Sequence, residues 1–429
     1  MFGFANFLLL ALFAAAVFDL IFALARGGGL RGALHGLWNT PHLLFGQQLA
    51  EWRLQLGRIL FAAGLAAYEI SVVFCNSMAR QNWAWVQGVM SPVLEWLAFL
   101  CFGAKILFGT RYTWRELLAG GALYFIARWV YFNSQNIWWI GIVVAVLAAK
   151  DVPLRRPLQV YFASGCAAMA VVLALHFAGI VAPDLTSERM GALRGTYGYG
   201  HPNTFGGLVF GLVLAYALLR AQKVRWVDCL LVFAVGVFLL VGPASRSAAL
   251  CTLALAVGLM FCRLRAGHSV PRWWPGTCAG MVGLTAAVSY LLPLLVIKVG
   301  PWNNDIGPAW LAKLDSLLTC RISLTWMAYR LLDVKIAGQV FNWPTVDNSF
   351  AFALFQFGPV VAALLGILFA AALLGHAKQG RRVEVCCLFA MLAYAYMEVQ
   401  PFHLTTNPTA LLLCGAVFAQ TSARWQKIE

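Results

Sequence analysis

Thirteen apolar runs in a chain of 429 residues leave little choice of fold. They fall at roughly 4–25, 58–78, 91–109, 116–132, 136–149, 157–180, 204–219, 226–242, 247–262, 276–297, 349–375, 383–399 and 408–423, each closed by charge or by Gly, Pro and Asn. A bilayer core takes about 20 such residues per helix, and within it only helices or closed barrels satisfy the backbone polar groups. The runs therefore predict an all-α polytopic membrane protein with about 12–13 transmembrane helices. Composition agrees, because only 11% of the residues are charged, against about 25% in soluble domains. The first run has no basic residue before it and no small-residue cleavage site after it. It reads as a helix rather than a signal peptide. The runs at 116–132 and 136–149 are short, and Asn133-Ser134-Gln135-Asn136 between them reads as a tight turn.

A net charge of +15 could point to nucleic acid, but the basic residues sit in short clusters between apolar runs. That is the pattern of cytoplasmic loop anchors, and it argues against a nucleic-acid partner. Alternate loops, beginning with 26–58, carry twenty of the 31 basic residues; the opposite loops carry nine, and Lys105 and Arg128 lie inside runs. The positive-inside rule puts the first set in the cytoplasm. The outer loops are then 79–90, 133–135, 181–203, 243–246, 298–348 and 400–407. Four parts follow: an extension at 1–57 with one extra hydrophobic helix, membrane helices over 58–297, one long extracytoplasmic loop at 298–348, and C-terminal helices with a short cytoplasmic tail at 349–429. Long loops in compact domains usually carry function. In this one Leu314, Leu318, Ile322, Trp326 and Tyr329 recur at helical steps and predict an amphipathic helix on the membrane surface. No internal repeat of the transporter kind is visible. Ten of the eleven cysteines fall in or beside apolar runs, where free cysteine packs as a small hydrophobe. With no CxxC pair and no Cys/His spacing, no metal site or disulfide framework is expected.

Polar residues gather where helices should start at the outer face. Asn203 is placed to cap the run at 204, Ser245 the run at 247, Asn348 the run at 349, and Asn407 the run at 408, with Pro408 at its first position. Helix N-termini offer free N–H groups and a positive dipole end, so several at one depth make an anion site. Capping alone is the simpler reading of any single one. Arg189 and Arg194 precede the first cap, Arg246 stands at the second, and Arg321 and Arg330 lie in the long loop. Arginine matches phosphate oxygens with a bidentate fork, and Arg194 and Arg246 run against the positive-inside trend. Arg128 is expected near the outer end of its helix, where a charge marks a functional site or snorkels to the interface. His201, His403, Glu398 and Asp347 are the outward groups able to move a proton or orient a hydroxyl; a lone loop histidine is more often a cap or solvated. Glu69 and Glu95 are buried acids that could pair with Arg128 or sit protonated.

From about residue 58 onward the chain resembles the Wzy-type bacterial polysaccharide polymerases of the O-antigen polymerase and ligase superfamily. The resemblance rests on Arg194 through Gly198-Tyr199-Gly200-His201-Pro202-Asn203 to Gly206, Ser245-Arg246 opening a helix, and Leu317-Leu318-Thr319-Cys320-Arg321. It continues through Asp347-Asn348-Ser349-Phe350 with Gly358, and Tyr394 to Glu398 ahead of Asn407. Similar proteins join oligosaccharide repeat units carried on undecaprenyl diphosphate, outside the cytoplasmic membrane, without a metal, cofactor or nucleotide sugar. The resemblance implies Arg194, Arg246 and Arg321 as ligands of the lipid diphosphate. The sequence departs from the pattern at Cys320, where glycine is usual, at Phe350, where tyrosine is frequent, and in the extension at 1–50.

The expectation is thus an inverting glycosyltransferase of the bacterial cytoplasmic membrane with an extracytoplasmic site. His201, Glu398 and Asp347 are the candidate catalytic groups; Arg194, Arg246, Arg321, Arg128, Asn203 and Ser245 are the candidates for binding the lipid diphosphate. The lipid-linked oligosaccharide serves as donor and acceptor, and a flippase and a chain-length regulator are the expected partners. The ligase branch uses a histidine in the long outer loop, and 298–348 has none, which favours polymerase over glycan ligase. A flippase or transporter of the same lipid is the alternative from another class; it would favour midplane polar residues and inverted repeats. The charge split makes a direct prediction. In intact cells, cysteines introduced at Pro183 and Asn304 label with an impermeant thiol reagent and one at Gly380 does not; external labelling at Gly380 would reverse the arrangement.

Overall fold

The computed structural model describes residues 2–27, 29–46, 50–181, 187–189, 192–296 and 307–418. Pro183, Asn304, residues 298–306 of the long loop and the tail with Arg424 and Lys427 lie outside the described residues. The fold is all-α, with two-stranded pairings only at His42–Leu43 with Arg111–Tyr112 and at Ser187–Arg189 with Ala192–Arg194 among the described residues.

Among the described residues eight helices are long and apolar enough to cross a membrane: Asn6–Ala25, Ala50–Cys75, Val86–Phe108, Arg155–Phe177, Pro202–Leu219, Arg246–Leu264, Trp274–Leu295 and Pro359–Lys378. Ile137–Ala148, Trp226–Val241 and Pro408–Val417 are apolar but shorter. Trp114–Ser134 and Arg382–Met397 complete the helical framework. The turn expected at 133–136 is present: Gln135 adopts a left-handed conformation (φ 53°), and the Asn136 side chain accepts from the Trp138 N–H. The extension folds as its hydrophobic helix followed by a second helix, Gly29–Asn39. It is tied down where the Asp19 carboxylate meets His42 at 3.3 Å and accepts from the Phe45 N–H.

Three apolar stretches differ from their sequence reading. The run at 349–375 is not one helix. Ser349–Phe352 passes into a wide turn at Ala353–Phe357, and the chain breaks at Gly358 before Pro359–Lys378 begins. Gly358 has φ +87°, and a Cβ there would lie 2.1 Å from the Ile336 carbonyl oxygen, so the break needs glycine twice over. The last run opens as a 3-10 helix, Pro408–Leu413, with a single α turn, Cys414–Val417, after it. The surface helix expected in the long loop is two helices, Ala309–Leu317 and Arg321–Leu331, parted where Thr319 and Cys320 both take positive φ. Four of the five expected apolar positions share one cluster: Ile322 is buried with Leu311 and Val296, and Leu314, Leu318 and Trp326 pack beside them, whereas Tyr329 packs against Phe355 of the main core. The left-handed backbone at Cys320 (φ 65°) is one that glycine adopts without steric cost.

Polar loops bond within two groups, at opposite ends of the helices. At one end Arg53 donates to the carbonyls of Leu44, Gly46 and Phe108, Lys150 donates to Arg111 O, and Arg382 binds the carbonyls of Arg265 and His268. At the other, Met78 bonds Gly198, Gln356 bonds Ser134, and segments 194–203, 244–247, 318–321, 349 and 397–400 meet. The helix Pro202–Leu219 brings its glycines to this second end. A Cβ on Gly206 would sit 2.2 Å from Ser245 Oγ, and one on Gly211 would sit 2.7 Å from Thr405 O and 2.9 Å from Thr406 Cα. Only glycine lets the backbone of 405–406 lie against this helix. Gly211→Ala should therefore lower the thermal unfolding midpoint, by the equivalent of about 1–3 kcal/mol for overpacking. Gly375→Ala, with no atom within 4 Å of the added carbon, should leave it unchanged or raised. Equal behaviour of the two variants would overturn this account of the packing.

Candidate functional site

Segments far apart in sequence meet around Glu398, the residue after the helix Arg382–Met397. Its Oε1 accepts from Arg321 Nη2 at 2.6 Å and from Asn203 Nδ2 at 3.0 Å. The Asn203 Oδ1 in turn accepts from Arg194 Nη2 at 2.9 Å, and the same Arg194 nitrogen donates to Ala244 O at 3.2 Å. Arg194, Arg321 and Glu398 are 6%, 7% and 5% exposed, so the charged members of the chain Arg194–Asn203–Glu398–Arg321 are largely removed from water, with Asn203 half-buried between them. Two guanidinium groups and one carboxylate leave this cluster with a surplus positive charge when Glu398 is ionised.

Arg321 is fixed on every side. Nε donates to the Met397 carbonyl, Nη1 to Leu318 O (2.9 Å) and to the Thr319 hydroxyl, and Nη2 lies 3.4 Å from Ser247 Oγ. The helix it begins is capped from a distance: the buried Asp315 Oδ1 accepts from the N–H groups of Ile322 (2.8 Å) and Ser323 (3.1 Å). The Ser349 hydroxyl donates to Glu398 O at 2.5 Å, and Gln400 Nε2 donates to Asn203 O at 3.1 Å while its Oε1 accepts from the Tyr394 hydroxyl. Each helix end at the site is thereby joined to at least one other. Burial pushes the Glu398 carboxyl up to about 7; the Arg321 guanidinium opposes that rise and the Asp347 charge adds to it.

Most of the predicted residues come together here, with changed parts. Asn203 is not the helix cap. That position belongs to His201, whose Nδ1 accepts from the Asn203 N–H at 3.1 Å. The reason is competition: Asn203 can reach both a guanidinium and a carboxylate, stronger partners than a backbone N–H. Ser245 holds the cap position of Arg246–Leu264 but makes no side-chain cap bond; its hydroxyl turns toward Asn203 Oδ1, at 3.5 Å. Asn348 caps as expected, accepting from Phe350 and Ala351, and Asn407 accepts from Ala410 at the head of a 3-10 helix. Arg246 is exposed at the first position of its helix. Asp347 is half-buried, one residue ahead of the Asn348 cap.

Arg128 stands apart: it bonds Asn6 Oδ1 of the first helix and stacks on Phe132, in place of the pairing with Glu69 or Glu95 considered from sequence. His403 stacks on Trp138 with ring centroids 4.0 Å apart, and burial pushes it down to about 4, which leaves it neutral. The supporting groups Asp315, Ser247 and Gln400 escaped the sequence reading, and Ser349 and Tyr394 entered it only as parts of the family resemblance, with no part assigned. Each is an ordinary residue locally, and only its distant partner gives it a part.

An apolar pocket, half-open to the surroundings, adjoins the cluster, lined by Val282, Tyr290, Phe350, Leu365, Phe369 and, at the polar end, Ser349. Among the described residues no group of three or more His, Cys, Asp and Glu side chains gathers as a metal site. No family model, no curated protein and no solved structure matches the chain.

The bridge makes Asn203 a sharp test. Asn203→Asp keeps the acceptor for Arg194 but removes the donor to Glu398 and sets two carboxylates together. Leaving that buried acceptor short of a donor costs about 1–3 kcal/mol, so the unfolding midpoint in detergent should fall. A cap would tolerate the change, since aspartate caps as well as asparagine; an unchanged midpoint would return Asn203 to a capping part.

Proposed function

We propose that this protein is a membrane glycosyltransferase that polymerises undecaprenyl-diphosphate-linked repeat units on the outer face of the bacterial cytoplasmic membrane. The observation that carries the reading is the buried Arg194–Asn203–Glu398–Arg321 chain, a preorganised cationic cluster at the ends of apolar helices, with Arg246 exposed beside it. The orientation follows the positive-inside rule, which sends the Arg53, Arg111, Lys150 and Arg382 end to the cytoplasm and the cluster to the outside. The apolar runs beyond the eight long helices complete about 12–13 crossings in this arrangement, with residues 298–348 as the outer loop.

The substrate is an amphiphile with a diphosphate between a sugar and an isoprenoid chain. Such a molecule needs cations for its diphosphate and an apolar slot beside them. Arg246, at a helix N-terminus, and Arg194 supply the first; the cavity lined by Tyr290, Phe350 and Phe369, reaching Ser349, supplies the second. The donor's leaving group is already a diphosphate. The enzyme's work is to hold two lipid-linked chains in line and to stabilise the charge that develops on the departing oxygen. Glu398 takes the proton of the attacking sugar hydroxyl, as a carboxyl titrating near neutrality suits that task. Arg321 orients Glu398, and Asp347 stands close enough to tune it. His201 positions the loop through its cap.

Two results test this. Arg246→Ala should lower polymer formation roughly ten- to a hundred-fold at equal membrane protein level, by loss of a charge-assisted contact worth about 1.5–3 kcal/mol. Arg246→Lys should recover little, lacking the fork. Glu398→Gln should lower the rate by about 10²–10⁴. Because the base works only when ionised, the wild-type rate should rise with pH through about 7 and then level off. Glycan chain length in a deletion strain carrying each variant is the measurement. Long chains at wild-type rate in Glu398→Gln would remove the base, and normal chain length in the deletion strain itself would remove the polymerase reading in favour of a ligase or flippase.

A further inference from the structure

A second pocket, half-open to the surroundings, lies at the opposite end of the helices from the Glu398 cluster. It opens between the last turn of Pro359–Lys378 and the C-terminal segment 412–416, with Gly375, His376, Gln379, Arg381, Leu412 and Gly415 on its walls. His376 is the unusual member. Its side chain is buried, 9% exposed, yet Nδ1 has no hydrogen-bond partner among the described residues, and neither ring nitrogen makes a bond there. An unpaired imidazole in a buried site costs free energy unless something fills its bonding capacity. Both glycines open onto free space: a Cβ added at Gly375 or Gly415 would meet no atom within 4 Å. The pocket is therefore open beside both glycines, on the surface that faces the surrounding membrane or solvent.

The wall chemistry is divided. Arg381, Gln379 and His376 make one side donor-rich, and Lys378 and Arg382 flank it in sequence. Leu412, Ala371, Ala372 and Ala416 make the other side apolar. A cationic, donor-bearing end beside an apolar wall, at the edge of membrane helices, matches a phosphate group attached to an acyl chain. Basic pockets between helices on the cytoplasmic side are suited to such head groups.

We propose that this cavity binds the phosphate of an anionic glycerophospholipid from the inner leaflet, with His376, Gln379 and Arg381 toward the phosphate and the acyl chain along Leu412 and Ala416. The site shares no residue with the Glu398 cluster, and its occupancy is independent of glycosyl transfer. Only its assignment to the inner leaflet rests on the orientation given above.

The test uses the full-length purified protein. Native mass spectrometry after incubation with phosphatidylglycerol, or with phosphatidylcholine as the zwitterionic control, reads retained lipid; calorimetric titration with inorganic phosphate reads the free ion. Gly375→Leu puts bulk into the pocket at a position where an added Cβ meets no atom within 4 Å, and Arg381→Ala and His376→Leu remove its polar wall; unfolding midpoints confirm that each variant folds. The expected result is phosphatidylglycerol retained over phosphatidylcholine, at least tenfold less of it in Gly375→Leu and Arg381→Ala, and no heat with phosphate. Phosphate binding that those variants also abolish would keep the site but assign it to a soluble phosphate. Equal retention of both lipids, or retention unaltered in a folded Gly375→Leu protein, would overturn the proposal.

Discussion

The pairing of Arg321 with Glu398 is the contact on which one end of this molecule depends. It joins the helix of the long loop to the end of Arg382–Met397, and through Asn203 and Arg194 it reaches the start of Pro202–Leu219 and the turn at Ala244. A buried ion pair stabilises little against a well-packed apolar alternative, but losing one member of it leaves an uncompensated charge and costs about 3–5 kcal/mol. Its worth is specificity of arrangement. The 2.6 Å contact, with the Thr319 hydroxyl and the Leu318 and Met397 carbonyls filling the rest of the guanidinium, permits one geometry. Five segments are set by that geometry.

The same need to satisfy polar groups explains the broken helices. Irregular backbone among membrane helices survives only where protein groups take the place of water. Around 398–410 they do. Tyr161 donates to Thr405 O, Asn407 donates to Pro401 O at 2.9 Å while accepting from Ala410 and Thr409, and Thr406 bonds Gln400 O. Gly211 and Gly207 clear the space for this segment on the neighbouring helix. The break at 319–320 likewise lies beside the cluster, where the Thr319 hydroxyl meets Arg321, whereas the break at Gly358 is set by the close approach of Lys335 and Ile336.

The two ends of the helices solve different problems. At the Lys150 end, loop polar groups lock segments to one another: Lys150 meets Glu116 at 3.3 Å and Asp151 at 3.5 Å and is nearly fully buried. At the Glu398 end the buried network leaves Arg246 exposed beside it, and an apolar cavity starts at Ser349. A closed network beside an exposed cation and an apolar slot suits capture of an amphiphilic anion. That supports the reading as an enzyme of a lipid-linked substrate.

Much of the fold was legible in the chain. Period, length and the scarcity of charge gave apolar helices, and the Asn133–Asn136 turn and the Asn348 and Asn407 caps were local enough to read. Arg194, Asn203, Arg321 and Glu398 could be singled out because polar residues beside apolar runs are conspicuous. Their roles could not. Asn203 looked like a cap because a cap needs only its own neighbours, whereas its actual partners lie 9 residues before it and 195 after it. Asp315 gave no signal at all, since it caps a helix from within another. Sequence by itself determined which segments are apolar and which residues are too polar to be left unpaired among them; only the tertiary structure decided which of those residues meet, because a buried charge is satisfied by whatever partner packing brings within about 3 Å, whatever its distance along the chain.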